Sequence, residues 1–152
     1  MATTAIPQVI NGIISVLGAS SGLTGVRIFD GPEIDMSYPS DFIAVGHDGS
    51  EDGEVSVASV TQVFEQLGNM KQFEDGSVEC FLSTWDGGTS LSVRRARAGV
   101  LLSAIDTAIR ADSTLAGSCI YSLLSSHQMT YMQTDQGAAV NINFTITYRA
   151  RT

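Results

Sequence analysis

Basic residues are scarce: eight Lys and Arg stand against sixteen Asp and Glu, for a formal charge of −8 and an isoelectric point near 4.4. Such a chain is repelled by phosphate, which excludes nonspecific gripping of nucleic acid as its work. Cysteine is nearly absent. Cys80 and Cys119 are too few for a disulfide framework, and both fall in segments that read as strands, so two buried thiols of a reducing compartment are expected. Long apolar runs are missing as well. The stretch Ile6 to Leu17 is interrupted by Gln8, Asn11, Gly12 and Ser15, and no Lys or Arg precedes it. A secretory signal opens on basic residues and a membrane span needs about 20 apolar ones, so neither is expected. What remains is 43% hydrophobic and 16% charged, too apolar for a disordered chain. Its 152 residues suit one domain, residues 1–152, around one core.

Val9, Ile10, Ile13, Ile14 and Leu17 recur at spacings of three and four, with Pro7 near the start and Gly18 past the end, which predicts a short amphipathic helix. A Gly/Ser/Thr stretch from Gly18 to Gly25 follows. Val26 to Phe29 then opens a strand that closes at Asp30-Gly31-Pro32, and Phe42 to Val45 forms another before the polar loop Gly46 to Gly53. Two longer extended runs, Glu54 to about Leu67 and Phe73 to Trp85, read as a long hairpin. The first sets Val55, Val57 and Val63 on one face, and the second alternates Val78, Cys80 and Leu82 against Glu79, Phe81 and Ser83.

Thr89 or Ser90 is placed to cap a second helix, whose apolar face carries Leu91, Ala98, Leu101, Leu102, Ile105 and Ile109 and which ends near Asp112. Strand resumes from Cys119 to about Gln133, turns around Asp135-Gln136-Gly137, and returns in a last strand. There Ile142, Phe144, Ile146 and Tyr148 alternate with Asn141, Asn143, Thr145 and Thr147, the pattern of one buried and one wetter face. These elements predict an α+β fold, a mostly antiparallel sheet with a long hairpin and two helices packed on one face.

Residues for chemistry are thinly spread. Gly18-Ala19-Ser20-Ser21-Gly22 matches the spacing of a hydrolase nucleophile elbow, but that motif needs a strand before the serine and a helix after it, and here the order is reversed. His47 and His127 are the only histidines, and in their polar neighbourhoods both are expected as exposed or hydrogen-bonded loop residues with no nucleophile tied to them. Asp48 to Gly53 imitates the first half of an EF-hand loop, yet the twelfth position, where a bidentate Glu belongs, is Ser59. No zinc-ligand cluster, phosphate-cradling loop or dinucleotide fingerprint occurs. No catalytic residue, cofactor or metal is therefore expected.

Charge placement is the stronger signal. Between Ile28 and Met70 lie Asp30, Glu33, Asp35, Asp41, Asp48, Glu51, Asp52, Glu54 and Glu65, with no Lys or Arg among them. Such a run is a solvated face, a surface for a basic partner, or the lining of a passage along which a polyanion slides. Arg94, Arg95 and Arg97 crowd the first turns of the second helix, where each cation costs about 0.3 to 1 kcal/mol against the helix dipole. Pairing with Asp86 would account for them, and so would contact with a neighbouring subunit.

Three stretches read together carry a resemblance: Val26-Arg27-Ile28-Phe29-Asp30-Gly31-Pro32, Phe42-Ile43-Ala44-Val45-Gly46-His47-Asp48-Gly49, and Phe144-Thr145-Ile146-Thr147-Tyr148-Arg149-Ala150-Arg151. In that order, with the helix Arg94 to Asp112 and the following Ser113-Thr114-Leu115-Ala116-Gly117, the chain resembles the tail-terminator proteins of long-tailed bacteriophages of actinobacteria. His47 departs from the bulkier aromatic expected at its place. The resemblance implies a small subunit that assembles in the host cytoplasm and ends in the virion neck. It would form a homohexameric ring on the tail tube, end tube polymerisation and offer a joining surface to the head connector or stopper protein. DNA would pass through the ring without specific binding.

On that reading Asp48, Glu51, Asp52 and Glu54 form an acidic loop at the lumen or rim, and Arg94, Arg95 and Arg97 are candidates for contact between subunits. The alternatives are another neck component, a stopper or adaptor, and from a different class a small hydrolase using Ser20 or Cys80 with His127.

Overall fold

The computed structural model describes residues 3–31, 40–50, 56–68, 70–88, 90–134 and 137–152. The first helix, α1, spans Ile6–Gly18, with Pro7 in its first turn where a missing N–H costs nothing. A short 3₁₀ turn, Ser21–Leu23, leads into β1 (Arg27–Asp30), which is followed by β2 (Asp41–Val45), β3 (Ala58–Phe64) and β4 (Gln72–Asp86). The second helix, α2, runs Leu91–Ala111, and the chain ends in the hairpin of β5 (Tyr121–Thr134) and β6 (Gly137–Arg151). Ser90 caps α2, its Oγ accepting the Val93 N–H at 3.4 Å and so satisfying one of the donors that the first turn leaves open. Among the described residues no helix is long and apolar enough to cross a membrane.

The six strands make one sheet, five of them in the order β1-β2-β4-β6-β5 and β3 joined to β4 off this path. β4 is its axis. One side of β4 pairs with β6 over its whole length. The other side is shared end to end, with β2 against Val45-to-Asp41 partners Cys80 to Thr84 and β3 against Gln72 to Val78. All pairings are antiparallel except β1 with β2. This is the predicted α+β architecture, with the hairpin and both helices in place.

Both helices lie on one face. α1 packs against β1, β2 and β4, and α2 against β4, β5 and β6. The core between them is formed by Val9, Ile13, Leu17, Leu101, Ile105, Ile109 and Leu115 against Ile43, Val78, Cys80, Leu82, Ile142, Phe144 and Ile146. Every inward residue of β6 from Val140 to Ala150 is buried, as its alternation predicts. Gly12 lies where α1 meets the turn after α2. A Cβ there would stand 2.2 Å from the Leu115 carbonyl oxygen, so only glycine admits this approach. Leu115 and Ala116 adopt left-handed backbone, with φ of 51° and 59°, and Asp112 pins them by accepting the N–H groups of Thr114 and Ala116.

Three expectations are corrected. Of the run from Glu54 to Leu67, the described residues form a strand over Ala58–Phe64 alone, and Val57 and Val63 are exposed. Alternation shows which residues share a face but not whether anything covers it, and here β3 lies beside the helices. Val55 is outside the described residues. Cys119 is half-buried and precedes β5; its N–H bonds back to the Thr114 carbonyl, so it belongs to the turn. His127 sits within β5, opposite Phe144, in a strand and not a loop. His47 keeps its expected place as a hydrogen-bonded loop residue, its Nδ1 accepting the Gly49 N–H at 3.0 Å, and it is also buried, with its ring 5.8 Å from that of Phe81.

Candidate assembly surface

Three features of the sheet define the surface: two open edges, an uncovered face, and charges placed unequally across it. Among the described residues β5 pairs only with β6, and β3 only with β4. Neither edge carries Pro, Gly or any Asp, Glu, Lys or Arg, the devices by which a strand edge is ordinarily protected from pairing with another chain. Both instead mix neutral polar residues with exposed apolar ones. Tyr121, Leu123, Met129, Tyr131 and Met132 are exposed on β5. Val60, Val63 and Phe64 are exposed on β3, and Leu67 and Met70 at the end of its hairpin. β1, by contrast, is four residues long and ends in Arg27 and Asp30.

The face away from the helices divides in two. Near β1 and β2 it holds a small apolar cluster of Phe29, Phe42 and Ala44 against Phe81, with Phe42 5.7 Å from Phe29 and 6.0 Å from Phe81. The chain after β2 folds onto this cluster. Asn143 Nδ2 donates to the Asp48 carbonyl at 3.0 Å, and a Cβ on Gly49 would meet Phe81 and Asn143 at 2.9 Å. Toward β3 the face is bare and forms a trough of about 540 Å³ between Thr61 on one side and Tyr121 and Leu123 on the other, with Ser77 and Thr147 in its floor. Asp75 and Arg149 cross this floor in a two-bonded pair at 2.6 and 2.7 Å. That pairing holds the Asp75 carboxyl below its ordinary range.

The predicted site residues fare differently. Glu51, Asp52 and Glu54 lie outside the described residues. Asp48 closes its own loop, its two oxygens accepting the N–H groups of Ser50 at 2.9 Å and Ser56 at 3.1 Å, and those bonds lower its pKa. Arg94 and Arg97 are engaged within the subunit. Arg94 Nη1 donates to Thr84 Oγ1 at 3.1 Å and its Nη2 lies 3.7 Å from Asp86. Thr84 donates to Asp41 Oδ1 at 2.6 Å, and Arg97 Nε donates to the other Asp41 oxygen at 3.1 Å. These bonds tie the start of α2 to the ends of β2 and β4. Charge-assisted bonds of about 1.5 to 3 kcal/mol each outweigh the dipole penalty of the cations. Arg95 is the outward one, exposed and stacked 5.9 Å over the Tyr131 ring, with Nη1 3.1 Å from its hydroxyl. It therefore stands directly at the β5 edge.

For the hydrolase alternative, Cys80 is fully buried, and burial, the largest cause, pushes its thiol up to about 12. Such a thiol keeps its proton at neutral pH and is no nucleophile. Ser20 lines a shallow groove with Val16, Gly22, Ala104, Thr107 and Asp112, and the Asp112 carboxylate is engaged by the N–H groups of Thr114 and Ala116.

One polar centre escaped the sequence reading. Glu74 is fully buried on the helix side of β4. Its Oε1 accepts Tyr148 OH at 2.6 Å, Thr4 Oγ1 at 3.0 Å and Ala5 N–H at 3.1 Å, and its Oε2 accepts Gln62 Nε2 at 2.9 Å. Burial alone would raise its pKa, but these bonds together bring it below the ordinary value, so the group is a satisfied carboxylate. It joins the start of α1 to β3, β4 and β6. The signal was present in the inward parity Glu74, Gly76, Val78, Cys80 and Leu82, where one carboxylate interrupts a core series.

No protein-family model matches this sequence, and no curated protein matches it at a significant level.

Proposed function

We propose that this protein is a phage neck subunit, a tail terminator that caps the tail tube as a homohexameric ring, ends tube polymerisation and meets the head connector. The observation that carries the assembly reading is the pair of open, uncharged sheet edges with exposed large apolar side chains, on a chain whose own core is already complete. Edges of that kind are retained where another strand covers them. The resemblance of three ordered segments to tail terminators supplies the particular assembly. A buried thiol and scattered histidines agree with a structural role.

Such a ring must let DNA pass. A basic lining would hold the polymer through counterion release, whereas carboxylates repel it. The acidic loop containing Asp48, Glu51, Asp52 and Glu54 accordingly faces the lumen or rim on this reading. At about 0.15 M salt the screening length is near 8 Å, so these groups act only if close to the channel.

The test is a particle assembled without this protein, viewed by electron microscopy. Overlong tails are expected. Tails of normal length without heads would instead assign the chain to a stopper or adaptor, and unaltered particles would refute a neck role. Reversing Asp48, Glu51 and Asp52 to Lys should leave tail length unchanged and slow DNA release.

A further inference from the structure

The two open edges run in opposite directions. β3 is antiparallel to β4, β4 is antiparallel to β6, and β6 is antiparallel to β5, so β5 runs with β4 and β3 runs against it. A second copy turned about an axis parallel to the strands therefore presents its β3 antiparallel to the first copy's β5, the stronger of the two ladder geometries. The helices of both copies then stay on the same side of the joined sheet.

From this we infer that neighbouring subunits join by β-sheet extension, β5 of one copy pairing antiparallel with β3 of the next in a head-to-tail contact. This rests on the ring reading above and names the surface that closes it. A contact between two different edges generates rings when the rotation closes.

Charge favours this pairing over β5 with its own copy. β5 contains no Asp or Glu, and the exposed Arg95 stands on its edge, whereas Arg149 and Arg151 are paired with Asp75 and Glu65 within the chain. Pairing β5 with the β5 of another copy would bring two Arg95-bearing edges together, which head-to-tail contact avoids.

Extent is sufficient as well. The exposed side chains of the two edges, ten residues from Val60 to Met132, offer on the order of 1,000 Å² together, about what a specific interface buries. β5 is 14 residues long with a register shift between Leu124 and Ser126. β3 is 7 residues long and fits the regular stretch beyond the shift.

The experiment is disulfide trapping in the full-length chain with Cys119→Ser as background. Thr61→Cys is mixed with Ser126→Cys, Gln128→Cys or Thr130→Cys, all on the uncovered face by their registers, and oxidised gently. Mixed dimers should form at one or two of these positions and not at the intervening His127→Cys or Met129→Cys. No single variant should cross-link with itself. Gln128→Lys, a charge on the open edge, should raise the concentration needed for multimers by about tenfold or more while leaving the melting temperature unchanged. Self-linking of Thr130→Cys without mixed products would overturn the proposal in favour of a two-fold dimer. Rings that form with neither cross-links nor slowed amide exchange in β3 and β5 would overturn it and leave the ring reading standing. Cross-linked chains of subunits that never engage tail-tube protein would support the edge pairing and count against the terminator.

Discussion

Replacing Tyr148 by Phe removes one oxygen from the most connected polar centre of the fold. The ring stays, lying over Gly76, where a Cβ would come within 2.6 Å of it. What is lost is the 2.6 Å hydrogen bond from the hydroxyl to Glu74 Oε1, in a place where Tyr148 is 2% exposed and Glu74 fully buried. Bulk solvent does not reach such depth to replace the hydroxyl, and a bond to an ionised acceptor contributes about 1.5 to 3 kcal/mol. For a chain of this size each kcal/mol moves the midpoint by about 2 to 4 °C, so thermal unfolding at pH 7 should begin about 3 to 12 °C lower. Burial and the Glu74 bond both push the tyrosine hydroxyl well above its ordinary pKa, so it remains the donor throughout the accessible pH range. Glu74→Gln should cost more than Tyr148→Phe. A carboxamide cannot accept from Tyr148, Thr4, Ala5 and Gln62 together, because one of its two ends is itself a donor. A Tyr148→Phe variant melting within 1 °C of the parent, or a Glu74→Gln variant more stable than Tyr148→Phe, would refute the account of Glu74 as the clasp between α1 and the sheet.

Phe144→Ala should destabilise by about 3 to 5 kcal/mol, measured by urea unfolding, since Phe144 is among the largest fully buried side chains. Gly12→Ala drives a methyl to 2.2 Å from the Leu115 backbone oxygen and should cost about 1 to 3 kcal/mol, with circular dichroism melting as the readout. Acid should unfold the protein through carboxylates whose folded pKa values are depressed. Asp48, Glu74, Asp75 and Asp112 all lie below the ordinary values of 3.8 for Asp and 4.5 for Glu. Their contribution is full above those values and is lost as pH falls through the folded ones, so the melting temperature should hold from pH 7 to about 5 and fall steeply below about pH 4.

Periodicity exposed most of the fold because burial on one side was nearly complete. β6 and the inward row of β4 were readable residue by residue, since a strand with one dry face must alternate. α2 was readable from Ala98, Leu101, Ile105 and Ile109 for the corresponding reason at the helical period. β3 was read as longer than it is, because Val57 keeps the parity of the strand while standing before its start. The pairing of Arg97 with Asp41 spans 56 residues and leaves no local trace; only the oddity of cations at a helix start pointed to a partner. Of the assembly surface, the acidic run was legible in the sequence, but the open edges were not. Which strands end a sheet depends on the order in which they pair, and that order is a property of the whole chain.

The division between the two faces bears on how the protein can change without losing either stability or assembly. The helix side holds Phe144, Ile105, Leu101 and the Glu74 clasp, all buried, and substitutions there act on folding first. The β3 and β5 edges contribute little to the subunit's own core. Their outward side chains are exposed, and β5 holds its place through thirteen paired positions on β6. A lysine at Gln128 or Thr61 therefore alters an edge while sparing the fold, and for the same reason such a residue would ordinarily be favoured there as protection against aggregation. Two unprotected edges on one subunit form a liability unless they cover each other. Antiparallel strand direction makes them complementary in the head-to-tail contact proposed above.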